Sequence, residues 1–549
     1  RGPGHPGGRI RQREAAAGLR ADATAVRGPH RSAVDAAPIA PAAAACYGGR
    51  VRPKLRLLVA GDEGRPEEGC GIMLDLVIRG GQVVTPQGAG QWDVAIQGER
   101  IAAVALPGSL TEDIGRVIDA TGKIVVPGGI DPHIHASFPW PDPLGGPVTY
   151  SAGPRQVSRA ALYGGTTTLI DFAVRRSRDT LQDALERRNH EYLGESFCDY
   201  AYHLMLLRSV PYDILDQFAE AIQAGHTSVK MFTTDVTPVP SGRGPKLNFG
   251  EIWEVLQRLA RHGGIAAIHS EDDELVMHQY EKLRREERVG FENLAEVHST
   301  MSEDLGFRRI LRLAEHVEGA ALYMMHVSAA TGVRAIAEAR SKGLPIYGET
   351  LHQYALFTSE DYKRPNGQIY HTYPSLKGPE DHVALWGGMA DGPIGSVATD
   401  ELCSTLEMKT RGKNIDDCYG GNSGVEPRMG VIYTEAVVRR GFSLERYADI
   451  TSTHAAKVFG LYPRKGALAA GSDADIAILD PTVRRTLRKE DLHETDYSPW
   501  EGWEIRGWPV TTLLRGQVVV ENGELKVDSP AGRWVPRKVA DAVLSRPAC

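Results

Sequence analysis

The chain has 549 residues, 24% of them charged, and a formal net charge of −7. That length exceeds one compact core and calls for two or more structural units, while the acidic balance argues against nucleic acid as the main partner, because phosphate binding needs a basic face. Six cysteines, at 46, 70, 198, 403, 418 and 549, are too few and too scattered for a disulfide framework or a CxxC zinc site. No apolar run approaches the ~20 residues of a membrane span, so a soluble chain of a reducing, cytoplasmic compartment is expected.

Residues 1–72 stand apart. They are rich in Arg, Ala, Gly and Pro, carry 12 Lys and Arg against 7 acids, and show no period of helix or strand type. Met73 is the first methionine, and ordered patterning begins directly after it. The expectation is a disordered leader, with native translation starting at Met73.

From Met73 to about Ile124, short runs alternate apolar and polar residues (LDLVIRGGQVVT, WDVAIQGERIAAV, GRVIDATGKIVV), which predicts a small antiparallel sheet. A second set, SDADIAILDP and VTTLLRGQVVVENGELKV, lies near the other end. Two β-rich ends around a long middle predict one discontinuous β-sandwich domain, built from residues 73–127 and 463–527, with a tail over 528–549. The middle, 128–462, holds eight short apolar runs: KIVVPGGIDPHIH, TTTLIDFA, YAYHLMLL, TSVKMFTT, GIAAIHSE, ALYMMHVS, PIYGET and GSVATD. Helical patterns separate them, among them PYDILDQFAEAIQAG, IWEVLQRLARHGG, FRRILRLAEHVEG and GVRAIAEARSKG, several stopped by Gly. Eight strands alternating with helices predict an α/β fold of the (β/α)8 TIM-barrel type. A doubly wound sheet is the weaker alternative, because no GxGxxG follows a strand and no GxxxxGK[ST] occurs.

A barrel places its chemistry at the C-terminal ends of the strands, and the unusual residues fall there. His133 and His135 end the first run, Lys230 sits in the fourth, His269 ends the fifth, His326 the sixth and Asp400 the eighth. A His-X-His pair in a strand end puts both rings on one face, and imidazoles joined by a carboxylate are the ligands that borderline metals such as zinc prefer. Taken singly, each has a structural reading: a hydrogen-bonded core histidine, a helix N-cap, a lysine snorkelling to the rim. Their convergence makes a metal site. His203, in the middle of YAYHLMLL, reads as structural.

The segments GGIDPHIH, GGTTTLIDFA, SVKMF, AIHSED, LYMMHVSA, IYGETLHQY, VATDE, TSTHAAKVFGLYPRKGALAAGSDADIAILDP and DYSPWEGWEIRGWPVTTLLRGQVV resemble the dihydropyrimidinase/hydantoinase branch of the amidohydrolase superfamily, from about Met73 to Trp534. The resemblance implies a binuclear zinc centre and a homotetramer. His133, His135 and Asp400 would hold one ion, His269 and His326 the other, and Lys230, carboxylated on its Nζ by CO2, would bridge them. It also implies hydrolytic opening of a cyclic amide (a hydantoin, dihydropyrimidine or related ureide or imide) by a metal-bridging hydroxide, with Asp400 as general base and then acid. An amidohydrolase of allantoin-like or dihydroorotate-like substrates, and a non-catalytic scaffold, are the competing readings. The scaffold relatives have lost metal ligands, whereas all six positions are filled here.

The chain departs from the family at several positions. Asp235 stands five residues after Lys230, where a Tyr usually helps hold the oxyanion. The usual Ser-Pro-Pro-Leu-Arg reads Tyr373-Pro374-Ser375-Leu376-Lys377, so Tyr373 is expected to restore a phenol from the opposite wall. Glu401 replaces a His after the last metal ligand, and the Asn before Gly-Val-Glu is shifted to Asn422. Tyr373, Ser375, Asp235 and Asn422 are therefore the expected substrate contacts. Phe138 and Trp140 are expected as apolar walls, and the Pro/Gly-rich Asp235–Leu247 loop as a lid.

Overall fold

The computed structural model describes residues 73–111, 113–142, 145–236 and 246–549. The leader and the middle of the expected lid lie outside the described residues.

Two sheets organise these residues. Strands β1 (Leu74–Thr85), β2 (Gly88–Gln97), β3 (Arg100–Ala105), β4 (Ile114–Asp119) and β5 (Ile124–Pro127) come from one end of the chain. After the barrel strands named below and the short ribbon of β7 (Pro139–Trp140) and β8 (Thr149–Tyr150), strands β16 (Ile476–Thr486), β17 (Glu504–Leu514), β18 (Gln517–Glu521) and β19 (Glu524–Leu525) come from the other. They form one nine-stranded sheet in the order β19-β18-β17-β16-β5-β1-β2-β3, with β4 against β1. The two ends meet where β5 pairs antiparallel with β16, Pro127 opposite Ile476. The sheet is not purely antiparallel, since β1 runs parallel to both β4 and β5. Alternating Leu76, Ile78, Val94, Ile96, Ile476 and Ile478 supply its own core.

All eight apolar runs of the middle are strands of a parallel sheet: β6 (Gly129–Asp131), β9 (Thr166–Arg175), β10 (Asp199–Leu206), β11 (Ser228–Phe232), β12 (Ile265–His269), β13 (Ala321–Met324), β14 (Ile346–Leu351) and β15 (Ile394–Ala398), in sequential order. Helices cover one face and barrel side chains the other, so the strands read as continuous apolar runs rather than alternations; every residue of β10 is buried. The barrel closes just beyond β6 and β15, where Ile134 pairs with Glu401: Glu401 N–H donates to His133 O (3.2 Å) and His135 N–H to Glu401 O (2.6 Å). This seam is built from the residues that flank the expected ligands.

The helix over Phe249–His262 shows how sequence fixes an element. Asn248 accepts from Glu251 N–H at its start, Ile252, Val255, Leu256 and Leu259 face the core, and Gly263 ends it at φ +81°. The expected single helix over PYDILDQFAEAIQAG is instead two, Tyr212–Leu215 and Phe218–Gln223. At the break, the Gln217 carboxamide accepts from Leu181 N–H and donates to Asp213 O.

Where the sheet domain meets the lower end of the barrel, Lys465 Nζ lies 2.7 Å from Asp199, 3.1 Å from Asp473 and 2.5 Å from Asp475, and Arg515 also pairs with Asp199. The three acids form a metal-like triad, but the ammonium, with Arg515 on Asp199 and Arg100 and Arg464 on Asp473, already neutralises it. Among the described residues no helix is long and apolar enough to cross a membrane, and Cys198, Cys403, Cys418 and Cys549 are free thiols. Removing the buried cation takes a shared partner from all three carboxylates and leaves the buried Asp475 without a counter-ion, so Lys465→Met is expected to cost about 3–5 kcal/mol of stability, read as a lowered denaturant midpoint; an unchanged midpoint contradicts this role.

Candidate active site

The six expected ligands converge at the C-terminal mouth of the barrel. Lys230 is inside β11 and His269 ends β12, while the other four lie just past their strands: His133 and His135 after β6, His326 after β13, Asp400 after β15. The His-X-His pair thus belongs to the closing seam rather than to the strand itself. Extended backbone there still turns both rings to one side, with the intervening Ile134 fully buried. His326 and Asp400 adopt φ of +38° and +52°. Such backbone is costly for residues with a Cβ, about 1–3 kcal/mol each, and concentrates at functional sites.

The side chains meet closely. Nε2 of His133 and Nε2 of His135 lie 3.0 and 3.1 Å from the same Oδ1 of Asp400, and these three residues form one of the two ligand-like clusters among the described residues. Opposite them, His269 Nδ1 and His326 Nε2 face each other at 3.0 Å, and Lys230 Nζ stands 3.3 Å from that same Nε2. Lys230 is 1% exposed, and its nearest partners are His326 and the sulfur of Met325 (2.9 Å) rather than a carboxylate.

Groups behind the ligands hold them in place. His133 Nδ1 lies 2.8 Å from Glu349 Oε1, which also accepts from His326 N–H (3.1 Å). His269 Nε2 lies 3.2 Å from Glu271 Oε2, and Glu271 is fixed in turn by His298 (3.0 Å) and Ser302 (3.2 Å). Thr372 Oγ1 donates to Asp400 Oδ2 (2.8 Å), leaving Oδ1 to the histidines. Sequence reasoning missed Glu349, Glu271 and Thr372. The first two carried a usable signal, for Glu349 is a carboxylate near the end of a barrel strand, and Glu271 follows a ligand histidine by two residues.

Burial and charge divide the titrations. Burial alone outweighs the distant Asp400 and Glu349 and pulls the Lys230 ammonium down to about 7. Burial also lowers His269 to about 4, against the pull of Glu271, and lowers His135. For His133, burial is overcome by Asp400 and Glu349, which carry it up to about 9. Burial works against the Asp400 carboxylate too, but His133 and His135 hold its carboxyl well below the usual range.

A cavity of about 290 Å³ opens over this cluster. Besides the six ligands its wall is mostly apolar: Phe138, Trp140, Met205, Leu207, Phe232, Val236 and Leu402, with Tyr373 and Tyr419 as the polar rings. A larger cavity of about 450 Å³ lies between β1 and residues 443–468; it contains the Arg446–Asp449 ion pair and no histidine.

Of the four expected substrate contacts, one reaches the cavity. Tyr373 lines it, and its hydroxyl donates to Cys418 O (3.3 Å); burial raises its pKa well above the ordinary phenol value, so it stays a donor. Ser375 does not line the cavity: its hydroxyl donates to His298 O and accepts from Lys377 Nζ. Nor does Asp235, whose N–H donates to Asp273 Oδ1 while the next residue, Val236, lines the wall. Asn422 is 2% exposed and turns its carboxamide N–H groups to the carbonyls of Ile369, His371 and Gly421. Glu401 likewise faces away, accepting from Gly424 and Val425 N–H. Behind the Tyr419–Gly421 wall, the buried Lys409 ammonium donates to the carbonyls of His371 (2.8 Å), Tyr419 (3.0 Å) and Gly421; sequence reasoning passed over this residue.

The donor set fits divalent cations. Imidazole nitrogens and a carboxylate crowd around shared points in two subsets, and a buried amine faces a ring nitrogen with no carboxylate beside it.

The model of the amidohydrolase family matches residues 124–519. A D-hydantoinase of Geobacillus stearothermophilus is 32% identical over 482 residues, 85% of this chain and 98% of that one. A D-hydantoinase of Streptomyces coelicolor is 34% identical over 474 residues, 84% and 97% of the two chains. Among solved structures, dihydropyrimidinase from Brevibacillus agri superimposes with a TM-score of 0.78 at 32% identity, covering 84% of this chain and 98% of its own.

Proposed function

Because the chain belongs to the amidohydrolase family, we propose that it hydrolyses the ring of a hydantoin or dihydropyrimidine bearing an apolar substituent, with two divalent metal ions, zinc by preference, at the barrel mouth. The observation that carries this reading is the convergence of six ligand-type side chains under an apolar cavity of about 290 Å³.

In this reading His133, His135 and Asp400 hold one ion, His269 and His326 the other, and Lys230 serves both as its carbamate. The geometry around Lys230 supports that role: a buried amine without a counter-ion is a poor structural choice, and a carbamate converts it into an anion. When bound, the ions supply Lewis-acid charge that activates water and polarises an amide carbonyl. Asp400, held ionised by His133 and His135 and oriented by Thr372, takes the proton of the attacking water and returns it to the leaving ring nitrogen. Tyr373 offers its hydroxyl to a ring carbonyl, in place of the phenol that Asp235 cannot supply. Phe138, Trp140, Leu207 and Phe232 take the ring substituent and exclude water.

The same wall separates the competing substrates. Dihydroorotate carries a carboxylate, and among the described residues no arginine lines the cavity; allantoin carries a polar ureido arm, and beyond the ligands the described wall offers only two phenols and the Trp140 indole as side-chain hydrogen-bonding groups. A desolvated charge or polar arm without partners is disfavoured.

Three outcomes are expected. Across 5-benzylhydantoin, dihydrouracil, allantoin, dihydroorotate and cyclic imides, kcat/KM is highest for 5-benzylhydantoin, by about 10-fold or more over dihydroorotate and allantoin; faster turnover of either of those two overturns the substrate assignment. Lys230→Ala lowers bound metal from about two per chain to less than half of that, with partial rescue of activity by a short-chain carboxylic acid, and unchanged metal content contradicts the carbamate. Asp400→Asn, in protein shown to retain its fold, lowers kcat by about 10³-fold or more; a near-normal rate rejects the proton shuttle.

A further inference from the structure

The last residues of the chain form no part of the mouth, yet one of them points towards it from below. Tyr200 N–H donates to Arg533 O (2.9 Å) and Val535 N–H to Tyr200 O (2.8 Å), which stitches the tail to β10. Val535, Val539 and Val543 then pack into the cluster that contains Ile265, Ala321 and Phe459. The tail lies tight on the backbone of Gly460, where a Cβ would collide with the Lys538 carbonyl.

Arg537 is the unusual member. It is 3% exposed and enters the protein without a carboxylate partner; its guanidinium donates to Ser228 Oγ (2.9 Å) and to Tyr202 O. Burying an unpaired cation is expensive, so the side chain is retained for what it donates. Ser228 Oγ lies 2.7 Å from His203 Nδ1, and His203 Nε2 lies 2.9 Å from Pro132 O. Each link has only one consistent direction. The Pro132 carbonyl can only accept, so Nε2 carries the ring proton, and in the neutral buried ring Nδ1 is left as the acceptor. Ser228 therefore sends its hydroxyl proton to Nδ1, and its oxygen accepts from the Arg537 guanidinium, which has donors alone.

Pro132 directly precedes His133, and the His203 ring is also 5.1 Å from the ring of Phe172. Phe172 stacks on His135 at 4.4 Å and meets His133 edge-on at 5.1 Å. The buried histidine therefore touches the support of both rings of the His-X-His pair, once through a carbonyl and once through an aromatic ring.

We propose that Arg537 and His203 are positioning residues of the metal site: the C-terminal tail, through Ser228, holds the His203 ring, protonated on Nε2, in place and thereby the Pro132 carbonyl and Phe172 ring that aim His133 and His135. The metal half of this inference rests on the ligand assignment above; the tautomer half does not. Its logic is that of outer partners that orient a ligand histidine and are worth 10–100-fold in metal affinity, here acting one residue upstream.

The experiment uses the full chain and two readouts. In the metal-free protein, 15N-labelled His203 is expected as a single neutral tautomer protonated on Nε2, and Arg537→Met and Ser228→Ala each shift its Nδ1 resonance as the bond from the serine hydroxyl is weakened or lost. In the zinc-loaded protein, both variants release metal to a chelating dye at least 10-fold faster than the parent, while Ser228→Thr, which keeps the hydroxyl, stays within 3-fold. Should Arg537→Met fail to fold, Ser228→Ala removes a single buried oxygen and carries the test. Parent-like release from the folded variants, or a parent His203 protonated on Nδ1, overturns the proposal. A chain that binds zinc normally but opens no hydantoin overturns the substrate reading and leaves this one standing. A chain that takes up no zinc overturns the ligand assignment, and the tautomer readout then decides what remains.

Discussion

Five nitrogen-bearing side chains and one carboxylate share a space at the barrel mouth where their mutual hydrogen bonds cannot all be good ones. Two imidazoles compete for one oxygen of Asp400, two more face each other, and an amine meets a ring nitrogen. Polar groups buried this way cost free energy unless something compensates, and two of the residues add backbone strain by sitting at positive φ. A fold that maintains such a cluster spends stability on it. The electrostatics of cations placed among lone pairs are the compensation that the ligand types allow.

The support structure answers the same need. Glu349 and Glu271 hold ligand histidines from behind, and each is itself held, Glu349 by the His326 N–H and Glu271 by His298 and Ser302. A fixed rear nitrogen decides which nitrogen points forward, so these carboxylates set direction as well as charge. The apolar wall above then thins out water, and every charge interaction beneath it gains strength from the lower local dielectric.

The barrel was readable because each of its strands is a short buried run bounded by Gly, Pro or charge, and because Lys, His and Asp rarely interrupt such runs without a reason. Which side chains gather at the barrel mouth was readable from residue type. Direction was not. Ser375 and Asn422 occupy motif positions next to the site yet turn to backbone carbonyls and a lysine, since a one-residue change in where a loop carries its side chains alters what they face. Lys409 escaped notice because its three acceptors are carbonyls from residues 371, 419 and 421, and main-chain oxygens leave no mark in a sequence. His203 was read as structural from its place in the middle of a strand; that it ends a chain of hydrogen bonds from residue 537 depends on contacts across more than three hundred residues. The break in the Tyr212–Gln223 region was hidden for the same reason, because it turns on a contact between Gln217 and Leu181.

The positions expected to depart from the family pattern fall on the wall of the cavity and its backing, apart from the six side chains that converge beneath it. Wall and ligands are nonetheless joined through one residue. The Glu401 backbone ties His133 and His135 into the barrel seam, and its side chain accepts the N–H groups of Gly424 and Val425, which follow the Tyr419–Gly421 wall. Lys409 grips the same wall by its carbonyls. Because the seam is held by Glu401 main-chain atoms, which any residue provides, the side chain at that position is free to follow the loop. The pocket can therefore be reshaped around a new ring substituent without moving the atoms that hold the ligands, which is the separation of duties that a family sharing one chemistry across several substrates requires.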